Sequence, residues 1–271
     1  MKEQVLESPF CKKEFLELVD IVSEVKTTKL TNYAISGSSI VNIGDRDFVD
    51  YRPDIYIDPQ VLKDNNISSI SFDSLHFFQV QNLVEEIDTK SVKIKKSDVA
   101  VNLILPKTYE EYLESLTKKN RHELRRKKRK FDNETTSYEL GESKEQDIFD
   151  IFISQHRESK GEKGEFMTEV VETYFRNLLN LQGWKIYYTN TDKGVLSTAF
   201  CYENDDGCYL YNSSRNNEFN SINPGIVLND LIIQQLIHRG MTFFDFLKGT
   251  ERYKYDLGGN SVQLYDLAIE L

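Results

Sequence analysis

Residues 184–215 constrain the fold more than any other stretch. The runs WKIYYTN, VLSTAFCYE and CYLYNSS are rich in aromatic and β-branched residues, and the turn words TDKG and NDDG separate them. Runs of that composition broken by Gly-ended turns pair as antiparallel hairpins, so a three-strand meander is expected. A meander has a face to bury, and the flanking sequence supplies cover. Upstream, EQDIFDIFISQH places Ile148, Phe149, Phe152 and Ile153 on one helical face, and TEVVETYFRNLLNL does so with Val171, Phe175, Leu178 and Leu179. Downstream, NPG opens the strongly apolar helix IVLNDLIIQQLIHR, which Gly240 closes. MTFFDFLKG and SVQLYDLAIEL read as two further strands.

The region before about Pro106 is less regular. It opens with a helical stretch around Glu14–Val25. The strand-like runs DIYID and SSISF follow, then the helix-like HFFQVQNLVEEI and the strand VAVNLIL at Val99–Leu105. Between the two regions, Pro106 breaks the chain and Thr108 with Glu111 has capping-box spacing. Tyr109, Tyr112, Leu113 and Leu116 recur at helical spacing, so one long helix is expected. It runs on into KKNRHELRRKKRK, residues 118–130, with Leu124 as its apolar anchor. The expected divisions are 1–107, a basic connecting helix at 108–135, and 136–271.

Nine of those thirteen residues are Lys or Arg against one Glu, a local balance of +8 in a chain whose formal net charge is −10. The acidic remainder argues against general coating of nucleic acid, so an anionic partner is met locally. The alternative reading is a solvated helix face. With 39% hydrophobic and 12% aromatic residues the chain can build a core, which excludes global disorder. Cys11, Cys201 and Cys208 form no disulfide framework, and no Cys-x-x-Cys or His-x-x-x-His spacing suggests a metal site. Cys201 and Cys208 read as packing residues. The N-terminal residues lack the apolar core of a signal peptide, and no run approaches the ~18 apolar residues a membrane span needs, so a cytoplasmic protein is expected.

Four phrases in order resemble one family. They are EEYLESLTKKNRHELRRKKRKF, QHR at Gln155–Arg157, NPGIVLNDLIIQQLIHRG and FDFLKGTERYKYDLGG. The chain from about Val101 to Gly259 resembles the GNAT-like acetyltransferases grouped with the CelD cellulose-biosynthesis protein, relatives of the FemABX transferases. The resemblance implies an α/β (α+β) acyl-CoA N-acyltransferase fold of two GNAT-like halves, the first shortened or degenerate. It implies acetyl-CoA or another acyl-CoA as co-substrate, held between a splayed pair of strands with its pyrophosphate at the start of the next helix. Here the strands are CYLYNSS and MTFFDFL. The donor contacts are then Tyr211 and Ser213 on the first strand, with Asn223 and Gly225 at the helix head. A helix start carries unpaired N–H groups and partial positive charge, which suits phosphate. Gly225 lets a ligand approach the backbone. The usual GNAT loop, Gln/Arg-x-x-Gly-x-Gly/Ala, is absent, and Asn223 stands where relatives more often have Ser.

Candidate catalytic groups follow. Alternation puts Asp245 on the face of Met241, Phe243 and Leu247, where a carboxylate is either paired, with Lys248 or Arg252, or has the raised pKa of a general base. Glu251 is a second candidate base. Tyr253 is a proton donor to a leaving thiolate, and Lys248 or Lys254 a phosphate or oxyanion contact. His156 is either a structural histidine or, by the family's His-Arg pair, part of the site. Lys118, Lys119, Arg121 and Arg125 are the basic-helix residues matching the family. They are candidates to bind an anionic substrate, while RRKKRK is solvated or touches an anionic membrane surface. Three functions compete. One is acyl transfer from acyl-CoA to an amine or hydroxyl of a sugar, polysaccharide or cell-surface precursor. Another is FemABX-type aminoacyl transfer from tRNA. The third is non-catalytic polyanion binding on the same scaffold.

Overall fold

The computed structural model describes residues 5, 7–23, 28–30 and 32–271. Its contacts divide the chain into two units, Met1–Ala100 with Val262–Leu271, and Val101–Ser261. This division differs from the expected boundary at 107/108, and it places most of the last strand with the N-terminal residues. Strand pairing is the reason, because that strand adds to the sheet of the first unit.

In the first unit, helix α1 (Lys13–Leu18) runs into a 3-10 turn at Val19–Ile21, so the opening helix is shorter than expected and Val25 falls outside the described residues. Strands β1 (Thr28–Lys29), β2 (Ala34–Ser36) and β3 (Ser39–Val41) precede helix α2 (Pro59–Asp64). Strand β4 (Ser69–Leu75), helix α3 (Phe77–Glu86) and the first part of β5 (Ser91–Ile104) follow. With β11 (Asn260–Glu270) the strand order is β1-β2-β3-β4-β11-β5. DIYID is not a strand. It alternates buried Ile55 and Ile57 with exposed Asp54 and Tyr56, but between Pro53 and Pro59 it joins no ladder. Arg52 is buried at 1% exposure and is held by Asp73 at 2.6 Å and by the carbonyls of Ile43 and Gly44.

The second unit is built on the meander. Strands β6 (Tyr138–Ser143), β7 (Trp184–Thr191), β8 (Gly194–Glu203) and β9 (Gly207–Arg215) pair antiparallel in succession. Strand β6 was not foreseen, since YELGES is a half-exposed edge strand without clean alternation. After β9, helix α9 (Pro224–His238) crosses back to β10 (Phe243–Lys248), which pairs parallel to β9 and lies beside the end of β5. Side chains of β8 divide by parity. Phe200 packs with Phe152 and Phe175 from helices α6 (Gln146–Arg157) and α8 (Glu169–Leu179). Ala199 and Cys201 pack with α9. The short helix α7 (Glu162–Phe166) joins α6 to α8.

The expected long helix is two. Helix α4 (Tyr109–Ser115) starts at the Thr108–Glu111 capping box and stops where Leu116 turns extended, at φ −68° and ψ 144°. The Thr117 hydroxyl then accepts from the Asn120 N–H and starts α5 (Lys118–Glu134) afresh. Helix α5 is fixed to α9 through a buried charge. Asp230, fully buried, accepts from the Tyr109 hydroxyl at 2.7 and 2.9 Å and from the Lys128 ammonium at 2.6 Å. The apolar positions Leu124 and Phe131 lie on the same face. Replacing Asp230 by Ala leaves that ammonium uncompensated, so the variant should lose about 3 kcal/mol of stability in urea denaturation. A loss below about 1 kcal/mol would show that the ion pair does not fasten the helix.

Candidate functional site

The site begins where two strands part. Strands β9 and β10 pair from Phe243 opposite Gly207 to Asp245 opposite Tyr209, and there the register ends. Past that point β9 runs on to Arg215 and β10 to Lys248 without a shared ladder. At the end of β9, a cavity of about 490 Å³ opens against the head of α9. Ser213, Ser214 and Arg215 line it from the strand, and Asn223, Gly225 and Asn229 from the helix start. Tyr253 and Lys127 complete its rim.

The helix head is shaped by its sequence. Asn223 caps it in the left-handed region, at φ 57°, which Asn tolerates better than most residues. Pro224 has no N–H to satisfy, and those of Ile226 and Val227 donate to the Asn223 carbonyl at 3.1 and 3.3 Å. Gly225 supplies the intervening N–H, and a Cβ built on it would meet nothing within 4 Å. Its open side is therefore the cavity, at the positive end of a fifteen-residue helix. The Ser197 hydroxyl donates to the Pro224 carbonyl at 3.1 Å, and Thr198 and Ser214, which line the cavity, share a hydrogen bond of 2.6 Å.

The end of β10 is held in an unusual backbone conformation. Leu247 has φ 58°, and its N–H donates to the Asp245 carboxylate at 2.8 Å. Lys254, 2% exposed, sits beneath the following turn. Its ammonium donates to the carbonyls of Leu247, Lys248 and Gly249 and pairs with Glu251 at 3.0 Å. Glu251 caps the short helix α10 (Arg252–Asp256), which carries Tyr253 to the cavity. Arg252 pairs with Asp256 at 3.5 Å. Burial, and secondarily the charge of Glu251, raise the Tyr253 pKa well above the usual phenol range, so this hydroxyl stays protonated.

Of the residues singled out from the sequence, the cavity gathers Ser213, Asn223, Gly225 and Tyr253. Tyr211 instead faces the aromatic cluster, its hydroxyl 3.0 Å from that of Tyr174 and its ring against Trp184 and Phe175. Asp245 and Lys254 are buried in the turn that shapes the strand end, and Lys248 contributes its carbonyl to that turn. Lys118 and Arg125 are exposed on α5. Arg121 closes α4 by donating to the Leu113 carbonyl at 3.2 Å. Lys119 lines a separate groove of about 710 Å³ with His122, Arg126, Arg129 and Arg252, and Lys127 is shared between this groove and the cavity. The run RRKKRK, expected to be solvated or to touch a membrane surface, is not uniformly so: Lys128 is paired with buried Asp230, and Lys127 is 14% exposed, its spacing from Leu124 putting it on the inward stripe of α5. Arg215 was missed, because a strand end carries no periodic signal, and so was Asn229, a polar residue inside the apolar run of α9.

His156 is buried, and its Nε2 lies 3.1 Å from the Asn212 side-chain oxygen. Burial, then the nearby Lys163 charge, lower its pKa to about 4, so the ring is neutral at pH 7. Protonation therefore favours the unfolded chain, whose histidine titrates near 6.5. This contribution to stability is complete above pH 6.5 and is lost as pH falls toward 4. Between pH 7 and 5 the loss from this group should be about 2 kcal/mol. Urea denaturation of His156→Gln at both pH values should lack that component. An unchanged pH slope would reject the assignment.

Three comparisons bear on the site. A family model described as an acetyltransferase (GNAT) domain matches residues 118–255, just over half of the chain. No curated protein matches the sequence. Among solved structures, a conserved protein of unknown function from Bacteroides thetaiotaomicron is similar over 99% of this chain and 96% of its own, with a TM-score of 0.62 and 11% identity. FemX is similar over 89% and 82%, with a TM-score of 0.58 and 12% identity. The C-terminal domain of a putative lysylphosphatidylglycerol synthetase from Agrobacterium fabrum covers 95% and 92%, with a TM-score of 0.54 and 13% identity. At those identities the likeness is one of fold, a GNAT-like mixed α/β architecture. Among the described residues no helix is long and apolar enough to cross a membrane.

Proposed function

The chain belongs to the acetyltransferase (GNAT) domain family and is an acyltransferase, and from that premise we propose that it carries an acyl group from acyl-CoA, acetyl-CoA in the first instance, to an amine or hydroxyl. The acceptor is a sugar, polysaccharide or cell-surface precursor, as the CelD-type resemblance implies. One observation carries the reading. The cavity between the freed end of β9 and the head of α9 is lined by Gly225, with an open approach to its backbone, and by Lys127.

The fit to a phosphate-bearing donor is physical. The helix head suits a pyrophosphate, and Lys127 adds a cation whose side chain is 14% exposed and lies 3.9 Å from Glu123. The β9 backbone past Tyr209, which β10 has left, offers a strand edge to the pantetheine arm and acyl carbonyl. Glu251 then takes the acceptor's proton as the nucleophile attacks the thioester carbon. Tyr253, kept protonated, returns a proton to the departing thiolate. Asp245 and Lys254 act at one remove, by fixing the turn that carries Glu251 and Tyr253.

Calorimetric titration with acetyl-CoA tests the donor assignment. Gly225→Val should weaken binding tenfold or more, because the added branch enters the cavity rather than the protein core. Unaltered affinity would move the donor elsewhere. Glu251→Gln should lower turnover on an accepted amine at least 100-fold while leaving acetyl-CoA affinity intact, as loss of a general base does. Turnover within threefold of the parent would remove Glu251 as the base.

A second reading, aminoacyl transfer from charged tRNA, is favoured by one feature. The basic groove of Lys119, Arg126, Arg129 and Arg252 adjoins the cavity through Lys127. RNA binding that falls steeply with added salt, together with indifference to acetyl-CoA, would put this reading first.

A further inference from the structure

One buried polar side chain on the wall of the cavity at the head of α9 has no partner within the fold. Asn229 is 6% exposed and lines that cavity. Among the described residues its amide makes no hydrogen bond, as donor or as acceptor. Both amide atoms nevertheless keep accessible surface, so the exposure it retains includes its polar end. An amide offers two donors and an acceptor oxygen, and burying one unpaired is costly.

Its neighbours show that the fold pairs the other polar groups it buries here. The adjacent Asp230 accepts from Tyr109 and Lys128. Thr198 and Ser214, on the same cavity wall, bond each other at 2.6 Å, and the Ser214 hydroxyl donates to the Gln155 side-chain oxygen at 3.3 Å. Asn229 belongs to neither set. What remains to satisfy its amide is whatever enters the cavity.

Position on the helix defines what the amide can reach. Asn229 follows Gly225 by four residues, so the two lie on one face of α9, about 6 Å apart. A phosphate at the helix head therefore leaves Asn229 beside the next group of the same ligand. Ile226 and Leu228 line the cavity with it and are apolar. Such a wall suits a hydrocarbon segment. The amide suits one polar group within that segment that donates and accepts at once, an amide or a hydroxyl.

We propose that Asn229 is a recognition residue of the cavity, hydrogen-bonding an amide or hydroxyl on the group next to the donor's phosphates. This rests on the donor occupying the cavity at the head of α9. It adds a requirement, since phosphates alone leave the amide unpaired. Both groups that flank the phosphates of CoA carry such chemistry, the pantetheine arm in its amides and hydroxyl, the nucleotide in its ribose and base. The apolar wall favours the arm. A side chain held unpaired for binding returns stability to the fold when it is replaced by an apolar one of similar size.

The test is calorimetric titration of CoA, phosphopantetheine and adenosine 3′,5′-bisphosphate into the parent and into Asn229→Leu. The variant should bind CoA tenfold or more weakly, while its urea midpoint equals or exceeds that of the parent. A matching loss with phosphopantetheine puts the contact on the arm, and one with the bisphosphate puts it on the nucleotide. Asn229→Ser, which keeps a donor and an acceptor, should lose less affinity than Asn229→Ala, and this pair repeats the comparison should the leucine variant not fold. Equal CoA affinity in parent and Asn229→Leu would overturn the proposal and leave the donor reading standing. Weakened binding with a lowered urea midpoint would overturn it too, because the residue would then be structural. A parent that binds none of the three ligands removes the donor reading, and this proposal with it.

Discussion

A parallel strand pair that separates partway along its length loses its shared ladder hydrogen bonds, and those backbone groups must be served by something else. In this protein β9 and β10 part after Tyr209 and Asp245, and much of the second unit serves that separation. The chain turns sharply at Leu247, with Asp245 accepting its N–H and Lys254 collecting the carbonyls that follow. Across the gap, the head of α9 faces the freed end of β9, with Asn223 in the left-handed region and Gly225 open to the cavity. A buried carboxylate and a buried ammonium, read from the sequence as chemistry, are here the means of holding two strands apart.

Helix α9 can occupy that position because it is apolar nearly all round. Val227, Leu228, Ile232 and Leu236 are all buried, each side chain contributing on the order of 2 kcal/mol. The helix also meets α4 and α5. Its one buried carboxylate, Asp230, is tolerated because Tyr109 and Lys128 satisfy it. The same ion pair sets which residues of the basic helix face inward. Lys128 is consumed as structure, Lys127 reaches the cavity, and most of the remaining cations stay on the outer face or in the groove. The positive run in an acidic chain therefore has several uses rather than one.

Much of the second unit was legible in the sequence. The meander, the amphipathic helices and the apolar α9 follow from periodicity and turn words, and the parting strands were placed correctly through the family resemblance. Elements without a strong pattern were not seen. Strand β6 is a half-exposed edge, α7 is a single short turn, and the break at Leu116 lies inside an unbroken helical spacing. In the first unit, DIYID has the alternation of a strand but no ladder, because alternation reports burial and not pairing.

For the candidate site the division is the same. Sequence alone determined the helix head, since Asn-Pro-Gly before an apolar run marks a helix start with a missing donor and a missing side chain, whereas the left-handed conformation of Asn223, against the extended preference of a residue before proline, appeared only in the structure. The sequence also determined that positive charge is concentrated on one helix. Only the tertiary structure decided which charges meet. Lys127, Arg215, Gly225 and Tyr253 come from four separate segments, and nothing in their spacing along the chain relates them. Tyr211 and Ser213 show the converse, for they lie two residues apart on one strand yet face an aromatic cluster and the cavity respectively. Local structure is set by interactions between near neighbours, which the sequence displays. A site is set by long-range packing, and that exists only once the chain has folded.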